Sequence, residues 1–158
     1  MQPLVTIVTT YYNRAGFLKE TLRSLQLQTM TDWEAILWND GSTDNSEEIA
    51  REMAEMDSRF RIFGGERIGH AQSLVRSCAE AHGRYIGVLD SDDLLEPTAL
   101  EETAAVLESR PEIGMVYTDH VVIDGNGQRR GLGRRCQIPF SKDRMLLDFM
   151  TFHFRLIR

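Results

Sequence analysis

The chain has 158 residues, room for one domain with a real core, and a formal net charge of −6. That balance argues against a general nucleic-acid binder, which needs a basic face to neutralise phosphates. With 42% hydrophobic and 27% charged residues the composition is that of an ordinary globular protein, and no apolar run approaches the roughly 18 residues of a membrane span.

Strand-like and helix-like stretches alternate from the start. Residues 4–10 (LVTIVTT) are a β-branched run that predicts a buried strand. Residues 15–28 carry a helical apolar stripe at Phe17, Leu18, Leu22 and Leu25. A second strand over 33–38 ends in the turn Asn39, Asp40, Gly41, and Thr43 or Asp44 is placed to cap a helix reaching Met56. A short strand at 60–63 precedes a helix over 71–82, with Gly83 as its stop. Residues 84–89 form a fourth strand running straight into the acidic loop 90–93, and Pro97 suits the first position of a helix ending near Arg110. Residues 113–123 predict a fifth strand, turned at 124–127. Strands separated by helices of this length imply a mostly parallel sheet with right-handed crossovers.

In such sheets ligands bind beyond the carboxyl ends of the strands, where the strand order switches. The polar loops 9–13, 39–44 and 90–93 all fall at those ends. Asp90, Asp92 and Asp93 place three carboxylates within four residues. Two such charges about 4 Å apart repel by roughly 4 kcal/mol at an effective dielectric near 20, so a cation or good hydration must offset them. Carboxylate oxygens completed by water and phosphate are the usual setting for Mg²⁺ or Mn²⁺, which would let an acidic loop hold a diphosphate. A hydrated acidic turn capping the next helix has the same local sequence. Likewise Asp40 can accept the imide N–H of a uracil, or simply serve a strand–turn–helix junction.

The segments LVTIVTTYYNRAGFLKETLRSLQLQTMTDWEAILWNDGSTDNS, RIGHAQ and GRYIGVLDSDDLLEP, in that order, closely resemble the donor-binding region of family 2 inverting glycosyltransferases with the GT-A fold. The resemblance covers essentially the whole chain. It implies a Rossmann-like, mostly parallel sheet flanked by helices, and transfer of a sugar from a nucleotide sugar, UDP-linked by preference, to a saccharide or other acceptor hydroxyl. By resemblance Thr10 and Tyr12 line the base and ribose, with Tyr12 stacking on the base, and Asp40 hydrogen-bonds the uracil imide. Asp90 and Asp92 match the D-x-D pair, the first toward the ribose or a metal-bound water, the second toward a divalent Mn²⁺ or Mg²⁺; Asp93 is the less regular member. Asp119 resembles a position near the sugar floor, and His153 one near the metal or leaving phosphate, although a half-buried His in an aromatic stretch reads the same way. One departure stands out. Relatives often carry an Arg where this chain has Leu74, and Arg76 lies two residues on, about 200° around a helix, leaving His70 or Gln72 to take part of the role.

The resemblance also implies that residues 1–158 form a single nucleotide-sugar-binding domain that stops before the acceptor side. Inverting transfer needs a general base. Downstream of Asp124 the remaining acids, Asp143 and Asp148, lie in no suitable context, so the base is expected to be absent from this chain. Apolar residues such as Leu146, Leu147, Phe149 and Phe152 would then be poorly covered, which predicts a homo-oligomer through the C-terminal segment. Two cysteines without metal or disulfide spacing, and an N-terminus without signal-peptide character, suggest a cytoplasmic protein. Two other readings stand beside the transferase: a non-catalytic nucleotide-sugar-binding module, and, distantly, a haloacid-dehalogenase-type phosphatase with a D-x-D nucleophile. The second would need its acidic loop on the first strand rather than the fourth.

Overall fold

The computed structural model describes residues 2–138, 141 and 154–158. Its main sheet runs in the order β3 (Phe60–Gly64), β2 (Trp33–Asn39), β1 (Val5–Tyr11), β4 (Tyr85–Val88), β8 (Arg155–Ile157), β5 (Met115–Tyr117). Strands β3, β2, β1 and β4 are mutually parallel, and β8 pairs antiparallel with both β4 and β5. The helices α1 (Leu18–Gln26), α2 (Ser46–Met56), α3 (His70–Ala79) and α4 (Ala99–Ser109) flank it. The mostly parallel sheet expected from the alternating pattern is therefore the sheet found. From β1 the chain steps outward through β2 to β3, then returns to β4 on the other side of β1. The order reverses between β1 and β4, and a crevice opens at the carboxyl ends of those two strands.

Alternate residues of β1 divide the two faces. Val5, Ile7 and Tyr11 join a buried cluster with Leu18, Leu22 and Leu25 of α1, Ala50 and Met53 of α2, and Leu100, Ala104 and Leu107 of α4. No residue of α3 belongs to that cluster. Helix α3 lies against β1 and β2 and buries Ser73 and Ser77, small side chains that allow close approach.

Element ends depart from the sequence reading where side chains intervene. Helix α4 starts at Ala99, not Pro97, because the Pro97 carbonyl accepts the Thr29 N–H at 2.9 Å and Gln28 Oε1 accepts the N–H of Leu100 at 3.0 Å. Gly83 does not stop α3, which ends at Ala79. It marks a crossing against β1, where its N–H donates to Thr6 Oγ1 at 2.7 Å and any Cβ would collide with the Thr6 backbone. The single strand expected over 113–123 is two. β5 stays in the main sheet, while β6 (Val121–Ile123) leaves it to form a hairpin with β7 (Arg129–Leu132). The intervening turn is the predicted one, with Asp124 Oδ1 accepting the N–H groups of Asn126 and Gln128 and Gly127 at φ 73°. Strand β8 was not legible. It is three residues long, and Leu156 is buried with Phe154 beside it.

Candidate functional site

The loop after β1 is shaped by Asn13, at φ 51°, the left-handed region that Asn tolerates better than most residues. Its side-chain oxygen accepts the Thr43 N–H at 2.8 Å, and its own N–H donates to Ser42 Oγ at 3.2 Å. One residue on, Arg14 donates its N–H to Ser46 Oγ at 2.8 Å, and Ala15 donates to Asp44 Oδ2 at 3.0 Å. Asp44 Oδ1 also accepts the Ser46 N–H at the start of α2, so it satisfies a helix donor from just outside the helix. These bonds stitch the β1 and β2 loops into one rim.

Asp40, at the end of β2, is 3% exposed, and its two oxygens have different tasks. Oδ1 accepts the N–H groups of Ile68 and Gly69, each at 2.8 Å, and the Ser73 hydroxyl at 3.0 Å. Among the described residues Oδ2 faces only the Nε of Arg67, at 3.6 Å. Burial pushes this carboxyl up, but the donors from Ile68, Gly69 and Ser73 and the Arg67 charge outweigh it, leaving it below the usual carboxylate range. The Arg67 guanidinium lies 3.2 Å from the centroid of the Tyr12 ring.

After β4 the acidic loop is anchored by backbone. The Ser91 carbonyl accepts the Thr21 hydroxyl at 3.1 Å, and the Leu95 N–H donates to Ser24 Oγ at 3.1 Å, both on α1. With its backbone held, the loop presents Asp90 half-buried and Asp92 exposed. Burial, then the charges of Asp93 and Asp92, raise the Asp90 carboxyl above its ordinary value, against the smaller opposing pull of Arg155 and His70. Asp92 Oδ2 lies 3.4 Å from Nε of Arg14, both side chains being about half exposed.

These three loops close around a cleft of about 330 Å³ at the reversal point. Thr10, Tyr12, Asp40, Asp90 and Asp92, assigned from sequence, all line it, as does His70, whose Nδ1 is 2.9 Å from Thr10 Oγ1. Asp119 does not; it is exposed in the β5–β6 connection. His153, and with it Asp143, Asp148, Leu146, Leu147, Phe149 and Phe152, lie outside the described residues. Leu74 is half-buried and Arg76 is exposed away from the cleft, so α3 supplies no arginine there. The guanidinium comes instead from Arg67, in the loop before α3, and a second from Arg14; both line the cleft and neither was assigned from sequence. Arg155 was also missed. It stands opposite Val88 on β8, with its Nε buried and without a hydrogen-bond partner among the described residues. Its only sequence signal was a cation in an apolar tail.

The donor set suits a divalent ion shared with a ligand. Among the described residues no group of three metal-ligating side chains is clustered, so the protein offers Asp90 and Asp92 and would leave other positions to water and phosphate oxygens. A cation bound there would offset the Asp93 and Asp92 charges that, after burial, raise the Asp90 carboxyl, and it would have to displace the Arg14 guanidinium beside Asp92.

The model of Glycosyl transferase family 2 matches residues 6–158. The chain is 32% identical over 154 residues to chondroitin synthase from Pasteurella multocida, covering 98% of this chain and 16% of that protein. It is 35% identical over 131 residues to O-antigen biosynthesis protein RfbC from Myxococcus xanthus, covering 81% of this chain and 10% of that one. Among solved structures it superposes on mannosyltransferase PcManGT from Pyrobaculum calidifontis, in complex with GDP-Man and Mn²⁺, with a TM-score of 0.66, 24% identity, and coverage of 78% and 36% of the two chains. TarS 1-349 from S. aureus, in complex with UDP-GlcNAc, gives a TM-score of 0.70 at 20% identity, with the same coverage.

Proposed function

The chain belongs to glycosyl transferase family 2, and from that premise we propose that it forms the donor side of an inverting transfer from a UDP-linked sugar to a saccharide or other acceptor hydroxyl, dependent on Mn²⁺ or Mg²⁺. The observation that carries the reading is the convergence of Thr10, Tyr12, Asp40, Asp90 and Asp92, from three strand ends, on one cleft where the sheet order reverses. The relatives are a chondroitin synthase and an O-antigen biosynthesis protein, and the two solved complexes hold GDP-Man with Mn²⁺ and UDP-GlcNAc.

Each residue has a task its chemistry suits. The Tyr12 ring offers a flat face for a base, and Oδ2 of Asp40 offers an acceptor for a ring N–H. Thr10, through its contact with His70, fixes the floor between them. Asp92, with Asp90, would hold the divalent ion, which when bound neutralises charge developing on the departing diphosphate. By resemblance Asp119 and His153 remain our candidates for the donor sugar and for the ion or leaving phosphate, although Asp119 does not line this cleft and His153 lies outside the described residues. We read residues 1–158 as one donor-binding unit, working in the cytoplasm. The chain spans between 10% and 16% of the two curated relatives above, so acceptor binding and self-association through the C-terminal segment are part of this proposal too.

A second reading, binding without turnover, is favoured by the carboxylates themselves. On this reading Asp40 serves its loop through Oδ1 and the base through Oδ2, and Asp90 and Asp92 serve a cation, leaving none of these three to deprotonate an acceptor. Calorimetric titration of UDP tests both. Binding is expected with Mn²⁺, weakened tenfold or more (about 1.4 kcal/mol) by EDTA and in Asp92→Ala. UDP affinity untouched by EDTA would remove the metal from the scheme, and no binding by a folded sample would refute the donor site. Release of UDP from a UDP-sugar on adding acceptor would exclude the binding-only reading.

A further inference from the structure

Arg67 combines a fixed backbone with a free side chain. Gly41, at φ 73°, packs against it so closely that a Cβ there would sit 2.8 Å from the Arg67 nitrogen, and the next two N–H groups, of Ile68 and Gly69, are tied to Asp40 Oδ1. The side chain is 55% exposed. Its guanidinium carbon lies over the Tyr12 ring, and its Nε is 3.6 Å from Asp40 Oδ2, beyond hydrogen-bond distance. A loose contact and an exposed stack hold it, so it can swing while its anchor stays put.

Resting on the donor-site reading, we propose that Arg67 is the specificity-determining residue for the base. Its guanidinium lies over Tyr12, on the ring that would stack on the base. When a nucleotide enters, it turns to the base edge and, with Asp40 Oδ2, reads a ring N–H beside an exocyclic carbonyl. Asp40 Oδ1 already accepts three donors and has no capacity left, so Oδ2 is the oxygen that faces a ligand. An ionised carboxylate only accepts and a guanidinium only donates. Side by side they match an edge that donates from the ring and accepts at the neighbouring exocyclic atom. Uracil has that edge at N3–H and O4, and guanine at N1–H and O6. Cytosine and adenine present the reverse order, an accepting ring nitrogen beside an amino group. With the diphosphate held at the loop after β4, the ring cannot turn over to correct the mismatch. The discrimination is therefore against an unpaired acceptor and an unpaired donor, which is more selective than a missing apolar contact. Arg67 also supplies from a loop the guanidinium that Leu74 leaves out of α3.

The test is titration of UDP, GDP, CDP and ADP, each with Mn²⁺, into the unaltered chain and into Arg67→Ala and Arg67→Lys, with circular dichroism confirming that the variants fold. The unaltered chain is expected to prefer UDP to CDP by tenfold or more. In Arg67→Ala that preference falls to within about threefold, chiefly by weaker UDP binding, and Arg67→Lys, which donates but does not stack, keeps part of it. A UDP-to-CDP preference unchanged in Arg67→Ala overturns the proposal, as does UDP binding that tightens there at constant preference, which would make Arg67 an occupant and nothing more. UDP binding without preference in the unaltered chain sinks this inference and leaves the donor site standing. Binding of none of the four sinks both.

Discussion

The two ends of the sheet each pair a buried carboxylate with arginine, and they do it differently. At the amino end Glu34, 9% exposed, is filled: Oε1 accepts the Thr6 hydroxyl and the His82 N–H, both at 2.8 Å, and Oε2 takes Arg61 Nη1 at 3.1 Å. At the carboxyl end one oxygen of Asp40 is filled, the other faces a guanidinium 3.6 Å away, and Asp92 has an arginine at 3.4 Å. The same residue types form a closed clasp at one end and leave acceptor capacity open at the other. Unused capacity on an anchored backbone distinguishes a site from a strut, and residue identity alone does not.

Breaking the closed end should have the largest effect on stability. Glu34, on β2, ties in β1 through Thr6, β3 through Arg61 and the loop before β4 through His82, so Glu34→Ala removes the acceptor of the Thr6 hydroxyl and the His82 N–H and leaves Arg61 with the Glu80 carbonyl and its more distant carboxylate. Because Arg61 keeps some contact with water, the loss should be about 2–4 kcal/mol, at the lower side of the range for opening a buried pair. Thermal unfolding should show it as a drop of several degrees, with UDP affinity in the folded variant unchanged. A loss below about 0.5 kcal/mol would erase the contrast between the two ends. So would a matching loss in Asp92→Ala, which should be nearly neutral for stability.

The sequence read one end better than the other. The carboxyl-end loops were legible because each is short, polar and follows directly on a strand: Asp40, Asp90 and Asp92 stood out there by residue type, whereas Thr10 and Tyr12 were singled out by the family resemblance. Arg67 and Arg14 were not legible, since their meaning depends on how loops distant in sequence fold against one another. The division of Asp40 into a filled and an open oxygen belongs to the same class. Nor did any local pattern announce the clasp, where Thr6, Glu34, Arg61 and His82 are spread over 77 residues. The strand expected over 113–123 failed for a physical reason. Its two β-branched halves satisfy different partners, Met115–Tyr117 taking β8 and Val121–Ile123 taking β7, and periodicity carries no information about partners.

Acid should separate the ends in opposite directions. Burial pushes the Glu34 carboxyl up, but the His82 N–H, the Thr6 hydroxyl and Arg61 outweigh it and hold it below the usual glutamate value. A depressed carboxyl gives stability that is fully present above its unfolded pKa, about 4.3, and is lost as pH falls through the folded value. Glu34→Gln should therefore flatten the acid side of the stability curve below about pH 5. Asp90, raised by burial and by Asp93 and Asp92, has the other sign: it destabilises once pH exceeds the unfolded value near 3.9 and the strain is relieved by protonation. Asp90→Asn should accordingly gain up to about 1 kcal/mol at pH 7 in the absence of metal, the scale of a like-charge contact with access to water. Urea denaturation at pH 3.5 and pH 7 measures both, and a gain from Glu34→Gln at neutral pH would contradict the assignment of the clasp.

The smallest effect should come from Arg14, and it bears most directly on the open end. Its guanidinium stands beside Asp92 where a cation would otherwise be drawn, with both side chains nearly half exposed. Exposed pairs of this kind contribute about 0–1 kcal/mol, so an incoming ion that must displace the guanidinium meets a handicap of no more than about fivefold in affinity. Arg14→Gln removes the competing charge and keeps a side chain of similar reach. Mn²⁺ titrated without nucleotide, followed by calorimetry or water-proton relaxation, should bind the variant up to about fivefold more tightly at low ionic strength. The advantage should shrink in 1 M salt, where the screening length falls to about 3 Å. Weaker Mn²⁺ binding in Arg14→Gln would mean that Arg14 orders the acidic loop and does not stand in for its ion, and the carboxyl end would then be closed by the same logic as the amino end.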